Sequence, residues 1–381
     1  DKQEYGAREI VYPIHNNKFV RFWLDAPQHP INDALFTRYF TVRYQLYKLT
    51  NYMEHTPELE ETDVYLQSMD FAHAWMLGLI PTEEIYRELM GRVNSPTRIK
   101  DITSALDERN HSLFHSLTQK VVNRILEIEL QRGDSETQVT RLAEELHRVY
   151  GAETLIRILQ AFGKDTFIRD SYNWRNTKRG VLSSLLHACY PSPDDDSDTL
   201  KSLASQADIS HIRLVEAAMF APQWLELTEK ATGWKGLESA AYYFHAHTSE
   251  CFDDKKKAII ARYTPIAIED LQEGAFDIDW FKEAYKTIGK ERFEVVYNAA
   301  KYISLSNTHT RARKFADAVN GKTKAADAKK EIIAKRNKDL LMSYGLIPLG
   351  RKADKELLER YQFLQKFLKE SKEFGAQRQE S

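Results

Sequence analysis

The chain is poor in cysteine, glycine and proline and has no long apolar run, and each shortage removes a class of protein. Its two cysteines, Cys189 and Cys251 in 381 residues, form at most one bridge. A disulfide scaffold or zinc ribbon is therefore excluded, and both thiols are expected to be reduced and partly buried. Fifteen glycines and 11 prolines leave little material for the tight turns of an all-β fold. No apolar stretch approaches the roughly 20 residues that cross a bilayer, and no basic, apolar, small-residue leader opens the chain. A membrane role is not expected, and a cytoplasmic location is. No glycine cluster fits GxGxxG or the phosphate loop and no GxSxG elbow appears, so neither a dinucleotide cradle nor a hydrolase nucleophile is indicated. No cofactor is expected.

What the sequence does have is helical periodicity over a chain long enough for a large core, 42% hydrophobic and 29% charged. In the stretch 210–251, Leu214, Ala217, Ala218, Ala221 and Leu225 fall on one face of a helix of period 3.6. Pro222 predicts a kink or boundary and Thr232-Gly233 a stop. A second helix follows with Leu237, Ala240, Ala241 and Phe244 inside, completing a hairpin in which neither half can bury its face alone. Similar patterns run on both sides. Ala34 to Met53 is expected as a helix with Leu35, Tyr39, Val42, Leu46 and Leu49 inward. The tyrosines Tyr39, Tyr44, Tyr47, Tyr52 and Tyr65 are read as packed rings with hydroxyls at the rim rather than as a base-stacking platform. Further helices are expected over 95–107, 111–131, 181–190, 199–206 and 325–344. The last, over 354–374, carries an apolar stripe of Leu357, Leu358, Tyr361, Leu364, Phe367 and Leu368 that must lean on something.

The helix pairs are unequal in length and share no fixed period. The expected fold is all-α, an irregular α-solenoid of HEAT-like hairpins, with an irregular helical globule as the alternative. Residues 1–30 read as an irregular, partly extended lead-in, 31–190 as an N-terminal helical repeat region and 191–198 as an acidic linker. Residues 199–309 read as central hairpins and 310–381 as a basic helical end.

The net charge of −2 conceals an asymmetry: residues 310–381 hold 18 Lys and Arg against 10 Asp and Glu. An acidic body thus carries a basic end, whose Arg311, Arg313, Lys314, Lys322, Lys324, Lys329, Lys330, Lys335, Arg336 and Lys338 are candidates for phosphate contact. A face rich in Lys and Glu is more often simply solvated. His245-Ala246-His247 would share a face, and a metal, in a strand; on a helix the two side chains diverge by about 200° and cannot. His111 and His115 have the helical spacing for two imidazoles on zinc, but Ser112 stands where a zincin needs its glutamate and no third ligand is indicated. Asp194, Asp196 and Asp198 imitate the start of a calcium loop, which fails for want of the glycine and the closing glutamate.

Several strings, FDIDWFKEAYKTIGKERFEVVYNAAKYIS, THTRARKFADAV, RNKDLLMSYGLIPLG and ERYQFLQKFLKESKEFGAQRQES with the APQW and ESAAYYFHAHT segments, resemble a family of large bacterial proteins of unknown function. Some of its members carry a WGR domain and are described as molybdate-metabolism regulators. The resemblance runs from about Asn32 to the C-terminus and implies an interior part of a longer chain. It brings no catalytic residues, and without a Trp-Gly-Arg signature the WGR link to nucleic acid does not transfer. The expected function is a non-enzymatic scaffold binding another protein or another part of its own chain. A nucleic-acid module using the basic end stands second and a metal-assisted enzyme using His245 and His247 third.

Overall fold

The computed structural model describes residues 30–52, 66, 68–90, 112–169, 174–248, 252–304 and 309–374. Nineteen α-helices, three short 3-10 helices and one pair of two-residue strands, Val149–Tyr150 with Cys189–Tyr190, make up the secondary structure among them. The fold is all-α in substance. Of the lead-in expected over residues 1–30, residues 1–29 lie outside the described residues and Pro30 opens a helix; the helix expected over 95–107 and Cys251 also lie outside the described residues. The chain forms two compact units, residues 1–149 with 176–181, and residues 150–175 with 182–381.

In the first unit the helix Pro30–Tyr52 forms where its periodicity predicts, but with a different face inward. Phe36, Phe40, Arg43, Tyr44 and Tyr47 are buried, while Leu35, Val42 and Leu46 are exposed. Two stripes with spacings of three and four run along this helix, and ring area decides between them. Phe36 stacks on His73 at 4.1 Å, and Phe40, Tyr44 and Tyr47 all meet Phe71 within 6.0 Å. The helix Ser112–Leu130 buries Val121, Val122, Ile125, Leu126 and, at the same helical spacing, Glu129.

Glu129 is the hub of a buried polar knot. Its carboxylate takes Arg132 Nη1 at 2.5 Å and the hydroxyls of Thr137 and Thr140 at 2.6 and 3.1 Å. Arg132 also donates to the carbonyls of Asp134 and Asn176. Both charged side chains are fully buried.

The second unit is built on the helix Leu237–Ala246, every one of whose Leu237, Ala240, Ala241, Tyr243 and Phe244 side chains is buried. It packs against the helices Leu225–Thr232, Ile278–Ile288, Lys290–Ala299 and His309–Val319. Tyr243 lies among the rings of Phe244, Phe276, Trp280 and Phe281 and donates its hydroxyl to Ala312 O at 2.8 Å. Alanines at 240 and 241 supply the close approach that a helix with neighbours on several sides requires.

The APQW segment has a local explanation. Pro222 opens the 3-10 turn Pro222–Trp224, which aims two side chains at the end of the helix Lys178–His187. Gln223 donates to the carbonyls of His187 and Cys189 and Trp224 Nε1 donates to Cys189 O at 2.7 Å, satisfying one acceptor that the helix end leaves orphaned and another in the strand just after it. The acidic run after Pro193 closes turns in the same way. Asp195 accepts from the backbone N–H groups of Ala152 and Ser192, and Asp196 caps the helix Ser197–Gln206 through Thr199 N.

Gly236 precedes the central helix at φ +85°, and an added Cβ would lie 2.9 Å from Thr287 Cγ2 and 3.3 Å from Ile288 N. Gly236→Ala is therefore expected to cost about 1–2 kcal/mol, read as a lower urea midpoint at unchanged slope.

The single helix expected over 325–344 is two, Ala325–Lys335 and Lys338–Leu346. Arg336 adopts a left-handed conformation at φ 44° and Asn337 caps the second helix by accepting from Leu340 N. The fold-back brings Tyr344 and Ile347 onto Ala328 and Ile332, where Phe367 completes the cluster. An unbroken rod could not bury both faces.

Candidate functional site

The double histidine belongs to the central helix and its end. The helix stops at Ala246 with His247 as its C-cap, and both rings are buried. His247 Nδ1 sits 2.7 Å from Tyr243 O, with the rings of Tyr243, Phe276 and Phe315 around it. Burial pushes its pKa down to about 4. His245 lies beside Tyr242, as its helical position implies, and burial, reinforced by the charges of Lys256 and Arg169, holds it well below the ordinary range. Both are neutral core residues at pH 7. Thr248 completes the turn by donating to His245 O. No set of three or more His, Cys, Asp or Glu among the described residues is placed to hold a metal ion. His111 lies outside the described residues, and of His115 only the backbone is described.

The basic candidates are dispersed, and most are engaged within the chain. Arg311 pairs with Asp339 at 2.7 Å and donates to Gln272 O; Arg313 donates to the carbonyls of Tyr297 and Asn298. Lys322 bridges Glu294 and Asp317, and Lys335 pairs with Glu331. Arg336 lies over the Phe367 ring beside Glu370, and Lys329 over Phe363. Lys324, Lys330 and Lys338 are exposed, and Lys314 is half-buried.

A groove of about 470 Å³ opens between Gly236, Arg262, Tyr263, Trp280 and Glu283. Its floor is the stacked pair of Tyr263 and Trp280, centroids 5.8 Å apart. The polar groups there are already matched: Trp280 Nε1 donates to Ser239 Oγ and Tyr263 OH to Glu238, whose carboxyl burial raises. Arg262, Asp279 and Glu283 give its rim both signs of charge. Such a groove favours no one ligand charge.

The outer face of the helix Ala353–Ser371 is different, because it carries large apolar side chains that nothing among the described residues covers. The helix docks through Arg360, Phe363, Phe367 and Ser371, spaced 3, 4 and 4. Arg360 gathers the carbonyls of Tyr344, Ile347 and Pro348 and pairs with Glu356 at 2.6 Å, closing the end of the preceding helix. Phe363 meets Tyr344 edge-on at 5.4 Å. The stripe read from the sequence is thus split. Phe367 and Leu364 lean on this unit, whereas Leu357, Leu358, Tyr361 and Leu368 remain 57, 56, 60 and 55% exposed. The physical reason is angular: the inward-facing residues lie about a quarter turn from the line of the exposed ones.

Sequence reasoning missed Arg132, Arg169 and Arg360, each of which serves backbone carbonyls. Arg169 donates to Tyr302 O and Phe220 O at 2.8 Å. Only tertiary folding brings those acceptors together, so no spacing along the chain announces them. No helix among the described residues is long and apolar enough to cross a membrane.

A sequence profile of a family of unknown function (DUF5724) matches residues 1–381 and carries nothing on a WGR domain or on molybdate. No curated protein and no solved structure matches the chain.

Proposed function

From a chain that belongs to this family of unknown function, we propose a non-enzymatic helical scaffold that docks protein through the outer face of the helix Ala353–Ser371. The observation that carries the reading is the run of four large apolar side chains, each more than half exposed, on one side of a helix firmly seated on its other side. Monomeric proteins scatter exposed apolar residues singly, and a contiguous line of them is a recognition surface. The body behind it is read as an irregular stack of helical hairpins. Packing of neighbours such as Ile278–Ile288 on Lys290–Ala299 supports that.

Two observations favour docking over the alternatives. Most of the basic residues that nucleic acid would need are paired within the chain. The histidines that a metal would need are neutral and surrounded by rings. A photo-reactive phenylalanine analogue in place of Tyr361 is expected to give a light-dependent protein adduct in cells, identified by mass spectrometry. The same group in place of exposed Lys330 is expected to give none. Absence of any adduct at 361 overturns the reading. Mobility of labelled DNA and RNA is expected to be unchanged at about 50 mM salt. A shift that fades with salt and with Lys324→Glu and Lys330→Glu would transfer the role to the basic end.

A further inference from the structure

The exposed line on the helix Ala353–Ser371 has a regular spacing. Exposed Leu357, Tyr361 and Leu368, with half-buried Leu364 between the last two, follow one another at intervals of 4, 3 and 4 residues, the repeat of a two-helix seam in which each knob enters a hole on the facing helix. We infer that its occupant is a second copy of this chain, laid antiparallel across the same face. This inference rests on the docking role proposed above.

The argument is self-complementarity. A two-fold axis passing between Gln362 and Phe363 sets Leu357 against the second copy's Leu368 and Tyr361 against its Leu364. Each contact then occurs twice, as an isologous interface requires. Leu358 flanks the seam and adds apolar area beside it.

Charge fixes the direction. The line is flanked by exposed Asp354 at its N-terminal end and by exposed Lys372 at its C-terminal end. Antiparallel copies bring Asp354 beside the second copy's Lys372 at both ends of the seam. Parallel copies would set aspartate beside aspartate and lysine beside lysine. The helix dipoles agree, since antiparallel packing brings each positive N-terminus to a negative C-terminus. The pairing covers on the order of 1,000 Å² in total, the lower edge of specific interfaces, so a dimer that dissociates on dilution is expected.

Sedimentation velocity of the chain decides it. The mass is expected to rise from 44.3 kDa toward twice that value as concentration increases to about 100 μM. Leu368→Glu is expected to leave a monomer at every concentration with an unchanged far-ultraviolet spectrum, since the side chain is exposed. Asp354→Lys weakens the dimer, and adding Lys372→Asp restores it, a recovery that loss of general stickiness would not give. A monomer throughout, or a dimer indifferent to Leu368→Glu, overturns the inference. If the photo-adduct at position 361 proves to be a different protein, docking stands and self-pairing falls; an adduct of twice the chain mass composed of this sequence alone supports both.

Discussion

Glu129→Ala is expected to destabilise the first unit by about 3–5 kcal/mol. The carboxylate is fully buried and receives Arg132, Thr137 and Thr140 together. Removing it leaves a guanidinium without its counter-charge and two hydroxyls without their acceptor, in a place water does not reach. Arg132→Met strands the carboxylate instead and is expected to cost a similar amount. The physics of the pair differs from that of its halves. Desolvation has already offset most of the attraction, so Glu129→Leu combined with Arg132→Met is expected to recover most of the loss. Denaturant unfolding of the three variants checks this. If each single change costs under about 1 kcal/mol, the knot is not the buried ion pair its geometry describes.

Acidification is expected to destabilise the second unit through its histidines. The folded protein holds His247 at a pKa of about 4, against about 6.5 in an unfolded chain. Between those values the unfolded state binds a proton that the folded state refuses, so stability falls as pH drops through the window and levels off below it. For one histidine the loss approaches about 3 kcal/mol, and His245 acts in the same direction. The groups facing His247 are the Tyr243, Phe276 and Phe315 rings, with Arg311 opposing its protonation. His247→Phe fits that aromatic surround and removes the titration. Unfolding free energies at pH 7 and pH 4.5 are expected to differ less in this variant than in the parent, by about 2 kcal/mol. Carboxylates titrate in both proteins and cancel in the comparison. An identical fall in the two proteins would mean that His247 takes up its proton as readily in the folded state as in the unfolded one.

Both predictions concern residues whose type is plain in the sequence and whose role is not. His245 and His247 could be read as diverging on a helix from their spacing alone, and the structure places them on and at the end of one. That both are buried depends on distant segments closing over them, those of Phe276 and Phe315 among them. Glu129 and Arg132 sit three apart, as countless solvent-exposed pairs do. Only the packing around Ile125 and Thr140 takes them out of water.

What the sequence determined by itself was the helical class and the local punctuation. The faces of Leu214 to Leu225 and of Leu237 to Phe244, the break at Pro222 and the stop at Gly233 all follow from side-chain spacing and backbone restriction, which act within a few residues. Tertiary structure decided which of two permitted stripes faces inward in Pro30–Tyr52, where the fold-back at Arg336 occurs, and which half of the last helix's apolar surface is covered. Periodicity fixes an angle around one helix axis. What lies opposite that angle is set by the volume and carbonyl groups of distant segments, which meet only when the chain has folded.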